Sequence, residues 1–403
     1  MKITGIITEY NPFHNGHLYH LEKAKNLTKA DGIICIMSGN FVQRGGPALI
    51  DKWQRTNMAL QNGVDLVIEL PTVFAVSSAD FFAKGAVSIL NSLGVVNNIV
   101  FGSECGEINK LMHISRILAN EPEKYKILLK ENLRTGLTYA KARENALSQY
   151  INSDSKNISQ ILSSSNNILG IEYIKALINL NSKITPLTIT REGSNYNDIN
   201  LSPTFSSATS IRKYLKDFNS LSELKNTIPE PSFKILKDLN DTNYSFTFEE
   251  DMFQFIKYRI LLNCVNFNNL FEITEGLDNK IIKEIHNSNS YNQFILNIKS
   301  KRYTYSKISR LLTYIYLGFD KYEINPKNFE NLLYARVLGF NETGKKMLSL
   351  IKNTSNIPLI TKVPKYFDNN LLKLDIQATK AYSNLNSSID SRSDYLKSPI
   401  ILK

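Results

Sequence analysis

The feature that most limits what this chain can fold into is an alternation running through its first 220 residues. Short β-rich apolar runs recur at Ile3–Thr8, Gly32–Ser38, Asp65–Leu70, Asn98–Gly102 and Ile184–Thr190. Between them lie stretches with helical spacing, at Gly16–Thr28, Trp53–Asn62, Phe81–Leu93 and Asn166–Leu180. Apolar strands alternating with amphipathic helices build βαβ units, and so a parallel sheet covered on both faces. The segment Ile108–Ser163 is helical and polar, too long for a simple crossover, and reads as an insertion beside the site. The pattern changes past Phe218. Residues 226–232, NTIPEPS, carry two prolines and read as a linker or sharp turn. Spacing from Glu249 to Gly318 is mostly helical, a helix is expected over Asn328–Leu338 ending at Gly339, and another over Gly344–Lys352. The last stretch is mixed and rich in Asn and Ser. The expected architecture is α/β: a Rossmann-like domain with a parallel five-stranded sheet over 1–225, then a mainly α-helical C-terminal domain over 226–403.

Composition excludes several classes. The chain has 403 residues, 42% apolar and 21% charged, which is a globular and not a disordered balance. No apolar run approaches the ~18–20 residues needed to span a bilayer, and the N-terminus lacks a signal-peptide cleavage site, so no membrane partner is expected. Cys35, Cys105 and Cys264 lie far apart with no C-x-x-C pair. That argues against a disulfide framework or thiolate zinc site and fits a reducing cytoplasm. Net charge is +11, shared by both parts of the chain with no basic tail, and it suits a polyanionic partner.

The chemistry concentrates where the first strand meets the first helix, TEYNPFHNGHLYHLEKAK. Ligands of open α/β sheets sit beyond the carboxyl ends of the strands, and a helix N-terminus there offers free N–H groups to an anion. His14-Asn15-Gly16-His17 occupies this loop. Gly16 lets the backbone approach a ligand closely. The two imidazoles can donate to phosphate oxygens and support charge built up at an attacked phosphorus. His14, His17 and His20 fall at i, i+3 and i+6; the last sits badly for one helical face and no nearby Asp or Cys completes a ligand set, so no metal site is expected. This H-x-G-H element resembles the signature of the nucleotidylyltransferase superfamily, which attacks the α-phosphate of a nucleoside triphosphate and releases pyrophosphate. Ser206–Arg212, SSATSIR, resembles the I-S-S-T-x-I-R element of adenylyltransferase domains, with Ala208 where a hydroxyl is usual. Small hydroxyls at a helix start can bond phosphates, and Arg212 can neutralise the leaving pyrophosphate; the bland reading is an ordinary capped helix.

Longer phrases narrow the resemblance. SGNFVQRGGPALIDKWQRTNMALQNGVDLVIELP (38–71), SADFFAKGAVSILNSLG (78–94), VFGSECG (100–106), SNNILGIEYIKAL (165–177) and TREGSNYND (190–198) stand beside TEYNPFHNGH. EITEGLDNKI (272–281), SKRYTYSKISRLLTYIYLG (300–318) and YARVLGFNETGKKML (334–348) follow in the C-terminal part. Together they resemble the bacterial tRNA(Met) cytidine acetate ligases over most of the chain. The resemblance implies that ATP and acetate give acetyl-adenylate and pyrophosphate. It implies that N4 of cytidine 34, the wobble base of elongator tRNA(Met), then takes the acetyl group, giving N4-acetylcytidine and AMP. His14, His17 and Arg212 are the implied catalytic residues. The implied ATP-binding stretch is Ile7, Thr8, Glu9, Tyr10, Asn11, Pro12, Phe13, His14, Asn15, Gly16, His17, Leu18, Tyr19 and His20. Gly102, Asn166 or Asn167, Arg191, Thr209 and Ser210 complete it; the family usually reads Pro-Asn-Asn where this chain has Ser165-Asn166-Asn167. Mg²⁺ is expected with ATP, held mostly by phosphate oxygens and water.

Other charged residues carry two readings each. Arg44, Lys52 and Arg55 follow the second strand and can steer pyrophosphate or an RNA backbone, or simply be solvated. Glu69 ends the third strand as a carboxylate that orients a base or a metal-bound water, or as a structural anchor, and Asp80 carries the same two readings, the structural one a helix N-cap. The segment 299–310 has five basic residues in twelve and no acidic one. Lys299, Lys301, Arg302, Lys307 and Arg310 are the expected tRNA contacts, with Tyr303 or Tyr305 able to stack on an unpaired base; the bland alternative is a solvated helix face. Lys345-Lys346 is a smaller patch. Two rival functions remain at this point. One is a small-molecule adenylyltransferase or an acetate ligase acting on a carrier protein. The other is an RNA-binding protein on a degenerate nucleotide fold.

Overall fold

A computed structural model describes residues 1–152, 155–191, 206–218, 220–273, 276–301, 303–322, 324, 332–366 and 368–403. Five strands form its parallel part: β1 (Ile3–Thr8), β2 (Gly32–Ser38), β3 (Leu66–Leu70), β4 (Asn98–Ser103) and β5 (Thr185–Thr190). The sheet is larger than the expected five strands. β6 (Ala335–Phe340), β7 (Leu359–Ile360) and β8 (Ile400–Ile401) extend it to eight, in the order β5-β4-β1-β2-β3-β6-β7 with β8 also paired to β6. β6 runs antiparallel to β3, with Leu66 opposite Phe340 and Glu69 opposite Arg336.

The alternation of side chains along a strand explains why β2 is buried throughout. Ile34 and Ile36 enter the larger core together with Leu66 and Ile68. Ile33, Cys35 and Met37 enter the other, with Ile6 and Val67. Helices cover both faces. The first half carries α1 (Asn15–Thr28), α2 (Lys52–Gln61), α3 (Thr72–Ala75), α4 (Ala79–Ser92), the insertion α5 (Ile108–Asn120), α6 (Glu123–Arg134), α7 (Tyr139–Ile151) and α8 (Ser155–Ser163), then α9 (Ser165–Asn179) and α10 (Ala208–Phe218). The second half carries α11 (Glu230–Asp241), α12 (Phe253–Leu261), α13 (Leu277–Ile285), α14 (Tyr291–Ile298), α15 (Tyr305–Leu317), α16 (Glu342–Thr354), α17 (Asn370–Ser383) and α18 (Ser393–Leu396).

The helix expected over 328–338 is a correction: residues 335–340 form β6, while 325–331 lie outside the described residues. Ala335, Val337 and Leu338 are buried against both layers, and a strand buried on both faces shows no period-2 alternation to separate it from a helix.

Two further readings are corrected at the seam between the halves. Lys52 is not a free phosphate ligand: its Nζ lies 2.7 Å from Glu69 Oε1 and 2.9 Å from Asp394 Oδ1. Arg336 completes the cluster, 3.1 Å from Asp394 and 3.5 Å from Glu69. Arg55 is fully buried and donates to the carbonyls of Glu9 (2.7 Å), Ser38 (3.0 Å), Ile50 (3.1 Å) and Gly39. Glu69 is thus structural. Asp80 lies in the first turn of α4 and pairs with Lys175, while Ser78 holds the cap position.

Candidate active site

Strand order sets the place of the cleft. The chain runs β1-β2-β3 to one side and then returns to place β4 and β5 on the other. That reversal opens a crevice beyond the carboxyl ends of β1 and β4. The cleft is lined there by Ile7, Thr8, Glu9, Tyr10 and Asn11 from the end of β1, by Gly102 from β4, and by Ile189, Thr190 and Arg191 from β5. α1 begins beside it.

His14 is the N-cap of α1, with extended backbone at φ −134°. Its Nδ1 accepts from the Gly16 N–H at 3.0 Å, and His17 Nδ1 accepts from the His14 N–H at 3.3 Å. This reciprocal arrangement is a capping box made with imidazoles. It explains the glycine: a Cβ on residue 16 would stand 2.9 Å from His14 Cε1. It also fixes the tautomers, because a nitrogen that accepts must hold its lone pair. Each ring therefore carries its proton on Nε2. The two rings stack at 3.8 Å, and Phe13 and Tyr10 pack against His17 from below.

The electrostatics keep these rings neutral. Burial, then the charges of Arg191 and Arg212, push His14 down to about 3. Burial, then His14, Arg191 and His20, hold His17 well below the usual imidazole value. His20 is pushed to about 4 by burial and Arg191, against a hydrogen bond with the Val100 backbone. Arg212 donates from Nη1 to the Asn11 carbonyl (2.7 Å) and from Nη2 to Thr209 Oγ1 (3.3 Å). Arg191 reaches Asn166 Oδ1 at 3.4 Å. The arrangement offers neutral N–H donors and two guanidinium groups around one space, which suits a polyphosphate whose charge rises during displacement.

The structure separates the expected residues. His14, Gly16, His17, Tyr19, His20, Asn166, Thr209 and Arg212 line the cleft with the residues named above. Asn166 and not Asn167 faces it. Asn167 is 2% exposed, and its Oδ1 accepts from the backbone of Glu104 and Cys105. Pro12, Phe13, Asn15, Leu18 and Ser210 lie behind the lining. Phe13 is core, Leu18 packs on the same cluster, and Asn15 ties α1 to the Asn226 and Thr227 carbonyls. Pro12 follows a cis peptide bond. Ser210 bonds back to Ser207, whose hydroxyl accepts from the Ser210 N–H at the start of α10. Gln43, Phe82, Phe101, Leu169 and Tyr173 also line the cleft, and no motif marks them in the sequence. The spacing of the four apolar and aromatic residues reads as core, and for Gln43 only the turn glycines after it mark a loop near the site.

In the basic segment Lys299 and Lys301 are exposed and Arg302 lies outside the described residues. The Lys307 ammonium sits 5.2 Å over the Tyr303 ring. Arg310 is held by Glu272 at 3.1 and 3.2 Å, so its charge is already matched. Lys345 and Lys346 are both exposed on α16. Arg44 is exposed and reaches Ser165 Oγ at 3.3 Å. Among the described residues no group of three His, Cys, Asp or Glu is placed to hold a metal ion.

Comparison with known proteins accords with this geometry. The family model described as HIGH Nucleotidyl Transferase matches residues 1–395. A tRNA(Met) cytidine acetate ligase of Clostridium novyi (strain NT) is 52% identical over 403 residues, covering 100% of both chains. Another, of Clostridium botulinum (strain Okra / Type B1), is 51% identical, covering 100% of this chain and 99% of the relative. Crystal structures of Thermotoga maritima TmcAL are 36% identical and cover 100% of both chains. The apo form has a TM-score of 0.91, and the form bound with alpha-thio ATP one of 0.88. From its first strand to the C-terminal half, this chain belongs to the HIGH nucleotidyl transferase family and, within it, to the tRNA(Met) cytidine acetate ligases.

Proposed function

We propose that this protein activates acetate with ATP as acetyl-adenylate and passes the acetyl group to N4 of the wobble cytidine of elongator tRNA(Met). The products are N4-acetylcytidine, AMP and pyrophosphate. The observation that carries the reading is the pair of neutral imidazoles with their Nε2–H groups free for a ligand, seated at the N-terminus of α1 between Arg191 and Arg212. The Thermotoga maritima relative was crystallised with alpha-thio ATP bound, which supports ATP as the nucleotide.

The chemistry follows from charge. Acetate is an anion with no good leaving group. Its oxygen attacks the α-phosphorus, and pyrophosphate departs. His14 and His17 donate to phosphate oxygens as negative charge gathers at phosphorus. Arg212, fixed by the Asn11 carbonyl, neutralises the leaving pyrophosphate, with Thr209 beside it. Arg191, Asn166 and Gly102 border the rest of the nucleotide. Mg²⁺ enters with ATP through phosphate oxygens and water, matching a cleft with few carboxylates.

The amine of cytidine must then meet the acyl carbon. A loop base costs less to splay out than a paired one. Lys299, Lys301 and Lys307, with Arg302 from the undescribed part, supply phosphate contacts, and Arg310 contributes less because Glu272 pairs with it. We assign catalysis to residues 1–225 and tRNA binding to the mainly helical 226–403. We place the reaction in the cytoplasm, consistent with three free cysteines. No helix among the described residues is long and apolar enough to cross a membrane.

The test is pyrophosphate release by purified protein with ATP and acetate, with and without elongator tRNA(Met), followed by mass analysis of the tRNA nucleosides. Acetate-dependent release with an acetylated cytidine is the expected result. Release that leaves the tRNA unmodified overturns the tRNA part of the reading, and no release with acetate overturns all of it.

A further inference from the structure

The acyl transfer needs a proton acceptor, and the cleft narrows the choice by elimination. The cytidine N4 lone pair forms the new C–N bond, and the bond between the acyl carbon and the phosphate oxygen breaks with its electrons leaving on AMP. One N4 proton must go elsewhere. His14 and His17 are unsuited, because each Nδ1 lone pair is already taken by a backbone N–H and each Nε2 carries a proton. His20 Nε2 is sealed from solvent, so an incoming amine does not reach it. Phenols stay protonated at neutral pH, and burial raises Tyr10 and Tyr173 further. Among the described residues that line the cleft, Glu9 is the one carboxylate.

Its setting is that of a held group. Oε1 accepts from the Gln43 N–H at 2.7 Å. The Glu9 backbone carbonyl is fixed by the buried Arg55 guanidinium at 2.7 Å. Its charge is felt by the Tyr173 hydroxyl, which lines the same cleft.

We infer that Glu9 is the catalytic base that takes the N4 proton during acetyl transfer, an assignment that rests on the acetate ligase reading above. The carboxylate holds the proton until it passes to water, and the amide and AMP are released. General-base assistance of this kind is worth about 10²–10⁴-fold.

The two half-reactions separate the roles. Acetate-dependent exchange of pyrophosphate into ATP reports adenylation alone, and single-turnover transfer of labelled acetate to tRNA reports the second step. In Glu9→Gln, which keeps an oxygen for the Gln43 N–H, transfer is expected to fall about a hundredfold further than exchange does. Glu9→Asp keeps a carboxylate and is expected to recover part of the transfer; this arm also answers if the Gln variant fails to fold. Transfer at the wild-type rate in Glu9→Gln overturns the assignment, and so does a parallel loss of exchange and transfer, which would make Glu9 part of the adenylation site. A wild-type protein that exchanges no pyrophosphate with acetate instead overturns the ligase reading.

Discussion

At the scale of single residues, His14 performs two tasks through its two nitrogens. Nδ1 caps α1 by accepting the Gly16 N–H, and Nε2–H faces the cleft. The tasks can be parted. Asn at an N-cap supplies an acceptor oxygen of similar reach, whereas Ala supplies none. His14→Asn is expected to keep thermal stability close to wild type, and His14→Ala to lose about 1 kcal/mol. Both should lower acetate-dependent pyrophosphate exchange by about 10²–10³-fold, the usual effect of losing one donor to a charge-developing oxygen. Exchange near wild type in His14→Asn would show that the ring serves the helix alone. The motif was legible in the sequence because its spacing encodes this local geometry. The depressed basicity was not. It comes from burial first, then from Arg191 and Arg212, which are distant in the chain and brought near only by the fold.

At the scale of elements, strands β1 to β5 were legible as short β-rich apolar runs and helices α1, α2, α4 and α9 by their helical spacing between them. What escaped was contact between elements. Asn166 and Asn167 are adjacent in sequence, yet one faces the cleft while the other is locked under the Glu104 loop. The turn Gly45-Gly46 shows how tightly the halves fit. Gly45 has φ +85°, and a Cβ there would lie 2.5 Å from the backbone of Ser309 and Arg310 in α15. Gly136 has a similar φ of +80° but open space around it. Both Gly→Ala changes meet the cost of a left-handed backbone, about 1 kcal/mol. Only Gly45→Ala must also push back a helix, adding about 1–3 kcal/mol. Urea unfolding of the two variants is expected to rank them in that order. Equal losses would mean that α15 moves aside freely and that the halves are loosely joined.

At the scale of the whole molecule, the C-terminal half is part of the catalytic scaffold. β6 covers the edge of β3, and Lys52, Glu69, Arg336 and Asp394 meet where strands from both halves run side by side. A cut near residue 225 would leave β3 as a bare apolar edge and would strip Arg336 and Asp394 from the buried Lys52–Glu69 pair. Such a deletion therefore cannot report substrate choice. Sequence periodicity missed this union because the joining strand is antiparallel and distant. Beside the cluster, Asp375 is buried. It accepts from the Thr72 N–H at 2.6 Å and from the Tyr334 hydroxyl. Burial, then the Glu69 charge, raises it to about 7. In the same cluster Asp394 is held low, Lys52 and Arg336 outweighing its burial. The folded value of Asp375 exceeds the unfolded one, about 3.9. Between those values the unfolded chain has lost a proton that the folded chain keeps, so this group's stabilising contribution is full below about pH 4 and is lost as pH rises toward 7. Asparagine is isosteric with the protonated acid and carries no such dependence; its Oδ1 keeps the Thr72 N–H, and its Nδ2 donates to a Tyr334 hydroxyl that turns to accept. The thermal midpoint of Asp375→Asn relative to wild type is therefore expected to rise between about pH 4 and 7 and to level off above that. A difference that is flat or falls with pH would mean that Asp375 is ionised in the folded protein, and that the seam carries an unbalanced negative charge answered by Lys52 and Arg336.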